Sequence, residues 1–282
     1  MKHLLIFSTA LFLSFEGYSA TENSKKSLAI PPTSNSSYSS TANVTYASEY
    51  MMDGFKLGGG APVMELSLKI DTPSKRFSFM YWSALPINRD KKENDEHDLF
   101  VLYHQNFLNN SRYAFEFHSF YDYWFYPNSL PYKDNFGDTI SDVHRHGSKV
   151  HAGISMFNLL PLSESVLIPS YNIYYWIYWA QDRRDLYQGG THHEFLLKYT
   201  HWIPRIFSFF SEAYAGTSAS LNYNDGAFGV RPGLSHSTAS LLAEVKTSGA
   251  SLVASVNQQW SYEPTVNPTN DFWTEISLLK EF

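Results

Sequence analysis

Apolar and polar residues alternate along most of the chain, and this alternation predicts about twelve β-strands between residues 43 and 282. The clearest strand covers 112–126, where aromatic residues fill nearly every odd position while Glu116, His118 and Asp122 stand at even positions. Because successive side chains of a strand point to opposite faces of a sheet, one face is almost entirely aromatic and the other carries titratable groups. Strands of this kind indicate a sheet that separates an apolar environment from a polar one.

The connections between the predicted strands alternate between long and short. The long ones are 51–60, 86–96, 127–145, 181–190, 221–233 and 263–270, and the shorter ones are 71–75, 108–111, 158–165, 203–205 and 247–249. Bacterial outer-membrane barrels have tight periplasmic turns, longer outside loops and an even number of strands. The pattern therefore predicts an all-β fold: a closed, antiparallel transmembrane β-barrel of about twelve strands in a bacterial outer membrane, with both termini in the periplasm.

Charged residues collect on the strand face opposite the apolar one, and we predict that this is the inner face of the barrel. The predicted pore-lining residues are Glu65, Lys69, Glu116, His118, Asp122, Lys149, Glu194, Lys198, Glu212, Glu244 and Glu275, and His151 and Lys246 lie on the same face. Burying so many charges in a dry core costs several kcal/mol for each charge that is not paired. The pattern therefore favours a membrane barrel with a hydrated or salt-bridged interior. It argues against a soluble lipid-binding barrel, whose interior is apolar.

The chain divides into three segments. Residues 1–20 have a basic start, a short apolar run and small residues before the expected cleavage point, as a secretory signal peptide does. Residues 21–42 are rich in serine and too polar to fold alone, so we expect a disordered periplasmic tail. Residues 43–282 form the predicted barrel domain. No segment reaches the twenty or so apolar residues of a spanning helix, so a membrane role requires a closed barrel.

The amino-acid composition supports an outer-membrane location and excludes several kinds of chemical site. The chain has no cysteine, which excludes disulfides, thiolate catalysis and cysteine-ligated metals. Aromatic residues make up 17% of the chain, yet its mean hydropathy is only −0.31, as expected when half of each strand faces lipid and half faces water. The net charge of −6 argues against nucleic acid as a partner.

Two further features predict partners in the membrane. The chain ends in Phe282 with apolar residues at alternating positions before it, which resembles the signal that outer-membrane proteins present to the barrel-assembly machinery. Lys91 and Lys92 in one outside loop and Arg183 and Arg184 in another are candidates to pair with phosphates of outer-membrane lipopolysaccharide.

A more specific likeness lies in the first three predicted strands. Glu49-Tyr50, Gly54-Phe55 and Ala61-Pro62 follow one another, and Tyr81-Trp82-Ser83 precedes an acidic loop. This order resembles the TorF-type family of porins, which opens with an acidic residue before a tyrosine, a glycine step and a proline leading into the next strand. Asp53 stands where the family usually has an arginine. The resemblance implies an outer-membrane barrel that acts as a pore, and it implies no catalytic residues.

The strongest alternative is a lipid-cleaving outer-membrane enzyme. His146 and Ser148 share a strand face, and Val150 and Ile154 mark that face as the lipid side. Outer-membrane lipid hydrolases place a histidine and a serine in this way, but the base also needs an orienting third group. The sequence offers no clear third group on the neighbouring strand face, so we predict that the protein is not an enzyme.

Histidines also gather at His144, His146 and His151 and at the pair His192-His193. Imidazole nitrogens at His144 and His146, which share a face, are candidate metal ligands. No carboxylate or cysteine stands at a recognised metal-binding spacing beside them. We therefore predict no metal and no cofactor.

The charge balance of the inner face predicts the function. Seven carboxylates (Glu65, Glu116, Asp122, Glu194, Glu212, Glu244 and Glu275) face four lysines (Lys69, Lys149, Lys198 and Lys246). Rings of acidic side chains select cations, so we predict a narrow channel for small polar solutes that slightly favours cations. The 127–145 connection is long enough to fold inward and narrow the mouth. A barrel of this size can also fill its lumen with paired side chains, so a plugged, non-conducting barrel remains the third alternative.

Overall fold

The structure is a computed structural model that describes residues 37–57, 60–109, 111–128, 132–133, 139–140, 145–157, 159, 165–178, 190–203, 210–227 and 230–282. The predicted signal peptide and most of the predicted tail lie outside these residues. The first strand begins at Ser39, slightly before the predicted start of the barrel at residue 43.

Strands account for nearly all regular structure in the described chain. Their bounds are β1 Ser39–Ala47, β2 Tyr50–Met52, β3 Phe55–Leu57, β4 Val63–Asp71, β5 Phe77–Pro86, β6 Glu96–Phe107, β7 Phe115–Tyr126, β8 Tyr132–Lys133, β9 Thr139–Ile140, β10 Arg145–Met156, β11 Ser165–Tyr178, β12 Thr191–Ile203, β13 Glu212–Asp225, β14 Gly233–Thr247, β15 Ala250–Ser261 and β16 Asp271–Glu281. A short 3₁₀ helix, Arg89–Asn94, lies in the loop between β5 and β6. No helix in the described residues is long and apolar enough to cross a membrane.

Twelve of these strands close into one antiparallel barrel, in the order β1-β16-β15-β14-β13-β12-β11-β10-β7-β6-β5-β4. The ring closes where β1 pairs with both β4 and β16, so that Val44 lies between Leu66 and Leu278. The remaining strands form two small hairpins, β2-β3 and β8-β9. The predicted closed twelve-stranded antiparallel barrel is confirmed.

The outer face of the barrel carries a belt of exposed apolar side chains. Leu66, Leu68 and Ile70 point outward from β4, and the same alternation brings Phe79 and Leu241 to the surface of β5 and β14. Leu241, in the middle of its strand, is 62% exposed. A soluble protein rarely exposes so large an apolar area, whereas a bilayer solvates it.

The connections separate the barrel into two ends. The short-turn end carries the connections 72–76, 108–114, 157–164, 204–211 and 248–249, and the long-loop end carries 48–62, 87–95, 127–144, 179–190, 226–232 and 262–270. Two predicted connection lengths are wrong. The connection predicted at 203–205 is longer, because β12 ends at Ile203 and β13 starts only at Glu212. The connection predicted at 221–233 is shorter, because β13 extends to Asp225. The 204–211 turn is thus about as long as the 226–232 loop.

Candidate functional site in the barrel lumen

Each predicted pore-lining residue lies at a strand position opposite the exposed apolar residues, and therefore on the inner face. Glu65, Asp122, Lys149 and Lys198 are buried there. Lys69, Glu116, His118, Glu194, Glu212, Glu244 and Glu275 are half-buried. The inner wall is therefore rich in charged side chains, and buried apolar side chains such as Trp82, Phe100 and Trp124 lie between them.

The bore is not empty, because the first long loop folds into it as a β-hairpin. Strands β2 and β3 pair through Tyr50–Leu57 and Met52–Phe55, and Asp53 and Gly54 form the tip. Both tip residues have positive φ, 45° at Asp53 and 87° at Gly54. Asp-Gly is a preferred sequence for a two-residue turn that needs positive φ at both positions. We call residues 50–57 the lumen hairpin.

The tip of the lumen hairpin contacts the far wall of the barrel. The Asp53 carboxylate lies 3.6 Å from Lys149 Nζ on β10 and 3.8 Å from His192 Nδ1 on β12. Gln259 Nε2 on β15 donates a hydrogen bond of 2.7 Å to the Gly54 carbonyl. Because the hairpin starts between β1 and β4, its contacts with β10 and β12, which lie across the ring, mean that it crosses the bore.

At Gly54 the lumen hairpin touches the wall so closely that there is no room for a side chain. A Cβ at this position would come within 2.7 Å of Cε1 of the buried His236 ring on β14. Glycine therefore serves two needs here, the positive φ of the turn and the close approach to His236.

The stem of the lumen hairpin is held by an ammonium and a hydroxyl group. Lys56 Nζ lies 2.6 Å from Glu49 and 3.2 Å from Asp271 on β16. Burial by itself would lower the pKa of Lys56, but its hydrogen bonds and ion pairs with Glu49 and Asp271 raise that pKa. Lys56 thus stays charged while the hairpin is seated.

The hydroxyl group belongs to Tyr50, which is 3% exposed. It donates to Glu96 Oε2 at 2.8 Å, and the Tyr126 hydroxyl donates to the same oxygen at 2.7 Å. Burial, followed by the negative charge of Glu96, raises the pKa of Tyr50 well above its usual value. The phenol therefore stays protonated and remains a donor.

The wall beneath the lumen hairpin is acidic and aromatic. Asp98 on β6 and Asp122 on β7 are both fully buried. Lys149 Nζ lies 3.9 Å from Asp122 and 4.5 Å from the centre of the Trp176 ring, with the Tyr174 ring at 5.6 Å. Ring faces stabilise a buried ammonium through cation–π attraction.

A row of neighbouring aromatic rings, partly stacked and partly tilted, continues from this wall around the bore. Successive ring centres of His118, His151, Tyr174, His192 and His236 are 5.1, 4.7, 5.3 and 5.9 Å apart. The Asn172 carboxamide oxygen lies 3.0 and 3.2 Å from the Nε2 atoms of the first two histidines. The carboxamide nitrogen of Asn172 donates to Glu194 at 2.8 Å.

The opposite part of the wall is lined by small polar side chains. Its buried members are Thr45, Ser218, Ser220, Asn222, Ser251, Asn257 and Ser277. A cavity of about 30 Å³ lies between the hairpin tip and this wall, next to Glu194, Asn222 and Trp273. A space of that size holds about two water molecules, so the seated hairpin leaves no wide path there.

Some predicted features lie outside the described residues: His144, Arg183, Arg184 and most of the 127–145 loop that was expected to narrow the mouth. Among the described residues, the element that enters the bore is the first long loop. Five further residues lie in the lumen without having been predicted there: Glu96, Asp98, His192, His236 and Gln259. The usable signal was Asp53-Gly54, a turn sequence between two short strands.

The candidate enzyme and metal residues also have places in the fold. His146 lies on the outer face with its ring centre 6.0 Å from that of Tyr123, and Ser148 follows on the same face. Within the described chain, no group of three or more histidine, aspartate and glutamate side chains is arranged to hold a metal ion.

Comparison with known proteins gives a likeness in structure only. No family model matches the chain, and no curated protein matches it either. The solved NanC porin is similar over 85% of this chain and 98% of its own length, with a TM-score of 0.52 and 9% identity. The fold is that of outer-membrane β-barrels.

Two other solved structures are similar at a lower level. An outer membrane channel from Pseudomonas putida F1 covers 90% of this chain and 100% of its own, with 10% identity and a TM-score of 0.44. LpxR from Salmonella typhimurium covers 85% and 99%, with 8% identity and a TM-score of 0.47. The predicted resemblance to the TorF-type family is not addressed by these structures and stays a prediction.

Proposed function

We propose that the protein is a narrow outer-membrane channel for small polar solutes, with a slight preference for cations. The observation that carries this proposal is a polar, carboxylate-rich inner wall whose bore is crossed by a loop hairpin. A barrel that serves only as a structural element has no need of a polar bore beneath a separate hairpin. The resemblance to TorF-type porins is part of the same proposal.

The means of closure supports a channel that opens. The tip of the lumen hairpin is joined to the barrel wall by one hydrogen bond, from Gln259 to Gly54, and by two ionic contacts of Asp53 longer than 3.5 Å. A single hydrogen bond contributes about 1 kcal/mol, and ionic contacts of this length are too long to be hydrogen bonds. The tip can therefore move while Lys56 and Tyr50 hold the stem, on the microsecond to millisecond scale of lid opening.

The charges that would line the opened bore favour cations. Glu65, Asp122 and Glu194 lie on the inner face, and Lys149 is the basic neighbour of Asp122. Towards the short-turn end, Lys246 pairs with Glu244 at 3.5 Å, so these two charges compensate each other. Acidic groups that line a pore raise the local concentration of cations.

Conductance in planar bilayers tests the proposal. The purified barrel is compared with a variant in which residues 51–56 are replaced by two glycines, and reversal potentials are read in a salt gradient. We expect brief openings of the unmodified protein, long openings of the shortened variant and a cation-selective reversal potential. Glu65→Gln with Glu194→Gln should weaken that selectivity. Silence of both folded proteins, or anion selectivity, would contradict the proposal.

Two partners belong to this proposal as well. Lys91 and Lys92 lie in the Arg89–Asn94 helix at the long-loop end, which would meet lipopolysaccharide if that end is outside. Phe282 closes the chain next to Ser40 at the short-turn end, where the assembly machinery would meet it. Loss of barrel insertion on deletion of Phe282 is the expected result.

A further inference from the structure

Two buried carboxylates in the lumen are without hydrogen-bond donors. None of the four carboxylate oxygens of Asp98 and Asp122 receives a hydrogen bond from the described residues, although both side chains are 0% exposed. Leaving a buried charged group without a donor is among the more expensive features of a fold, and such groups usually mark a place where something else binds.

The nearby donors are directed elsewhere. The Tyr50 and Tyr126 hydroxyls both donate to Glu96. Lys149 lies 3.9 Å from Asp122, too far for a hydrogen bond, and divides its charge between Asp122 and Asp53. Asp98 therefore has two acidic neighbours, Glu96 and Asp122, and one basic neighbour, Lys149.

The lumen hairpin covers this wall and shows which chemical groups it accepts. Through Tyr50 the hairpin presents a hydroxyl group to Glu96 of this wall, while its ammonium, Lys56, pairs with Glu49 and with Asp271 on β16. The Tyr50 hydroxyl lies 2.8 Å from Glu96, two residues before Asp98 on β6, so the hairpin reaches the acidic wall. When the hairpin leaves, Glu96 loses the Tyr50 hydroxyl and keeps that of Tyr126.

The surroundings suit an organic ammonium better than a metal ion. The described residues hold no set of three ligands arranged for a metal. Aromatic rings do surround an ammonium group in this part of the lumen. Lys149 Nζ lies 4.5 Å from the Trp176 ring centre and 6.0 Å from that of Phe120. Aromatic faces combined with carboxylates are the usual recognition chemistry for ammonium groups.

We propose that the wall beneath the lumen hairpin, centred on Asp98 and Asp122, binds a small organic cation that carries a primary ammonium and a hydroxyl group. The hairpin is a tethered competitor for this site. The inference rests on the proposed channel function and names the class of solute that opens it. The ammonium meets Asp98 and Asp122, and the hydroxyl group replaces that of Tyr50 at Glu96.

The test uses the absence of cysteine in this chain. Met51 is buried in the seated hairpin, so a Met51→Cys variant carries one thiol that reacts only when the hairpin leaves. The labelling rate with a water-soluble maleimide is measured in detergent with ethanolammonium chloride, with ethylene glycol and with sodium glycolate. We expect ethanolammonium alone to raise the rate, by about tenfold at saturation, because it replaces charge-assisted hydrogen bonds of the hairpin.

A matched pair of variants locates the effect. Asp98→Asn with Asp122→Asn, in the Met51→Cys background, should weaken the ethanolammonium response about tenfold or more, since interactions with a charged partner are lost. Glu212→Gln removes one lumen carboxylate at the short-turn end, where Tyr214 donates to it, and should leave the response unchanged. If the double variant does not fold, Asp98→Asn alone is used, with heat-modifiable migration as the check of folding.

The outcomes separate this inference from the channel proposal. Labelling that rises equally with glycolate, or an ethanolammonium response that survives in the Asp98 variants, overturns the binding site. A change only in the pH dependence of stability, with no response to ethanolammonium, means that Asp98 and Asp122 share a proton and overturns it as well. A barrel that binds ethanolammonium but never conducts would contradict the channel and leave the site standing.

Discussion

Replacing Gly54 by alanine should open the bore without unfolding the barrel. The φ of 87° at Gly54 costs an alanine about 1–2 kcal/mol, because left-handed backbone brings Cβ close to the carbonyl oxygen. The new Cβ would also lie 2.7 Å from Cε1 of His236, well inside van der Waals contact. The tip must move away, and the hydrogen bond from Gln259, worth about 1 kcal/mol, is then lost.

These terms amount to about 2–3 kcal/mol against the seated hairpin, which raises the ratio of open to closed states roughly 30- to 150-fold. The assay is the open probability of single channels in planar bilayers, recorded at several voltages. The unfolding midpoint in urea should change little, since the strands of the barrel are untouched and the hairpin can relax into the bore.

Gly226→Ala is the matched control. Gly226 has a φ of 80° but nothing within 4 Å of its would-be Cβ, so the same substitution brings the backbone strain without the contact in the lumen. We expect the open probability of this variant to equal that of the unmodified protein. If Gly54→Ala stays closed, or if Gly226→Ala opens the channel equally, the hairpin is not what closes the bore.

Four further predictions follow from the same structure. Asp53→Asn removes both ionic contacts of the hairpin tip and should raise the open probability severalfold in the same recordings; an unchanged value would show that these contacts are idle. The ion pairs of Lys56 raise its pKa, so their stabilisation is complete below the ordinary lysine pKa and is lost as the pH rises through the raised value; openings should increase only at strongly alkaline pH, and Lys56→Met should remove that pH dependence. Leu241→Arg places a charge in mid-membrane and should lower unfolding stability by about 2–4 kcal/mol, against about 0–1 for Leu234→Arg near the strand end, and equal losses would argue against this placement in the bilayer. Membranes that contain the protein should hydrolyse lipid no faster than membranes without it, and Ser148→Ala should not change that rate. Hydrolysis above this background that Ser148→Ala abolishes would favour the enzyme alternative.

The strand alternation was sufficient to predict which residues face inward. In β7 the positions of Glu116, His118 and Asp122 are separated by two residues, and a period of two is a local property that needs no knowledge of the partners. In β6 the same reasoning did not reach Glu96 and Asp98, because Glu96 stands at the strand boundary and the alternation beyond it is irregular. Strand ends are the least certain part of such a reading.

The candidate site could be predicted only as a list of lining residues. Asp53 was noted for its place in the family pattern, and nothing local to it indicates Lys149 or His192. These contacts join residues far apart in the chain and depend on which strands lie opposite each other in the closed ring.

The barrel, its inner and outer faces and its carboxylate-rich lining could all be predicted from the chain, because each follows from residue type and a two-residue period within single strands. What fills the bore could not be predicted in this way, because it depends on contacts between distant strands. Ring closure brings β10, β12, β14 and β15 within reach of the Asp53-Gly54 tip, and the glycine at that tip permits the close approach to His236. A turn sequence predicts that a hairpin forms. Where the hairpin packs depends on the shape and charge of a wall that distant strands assemble.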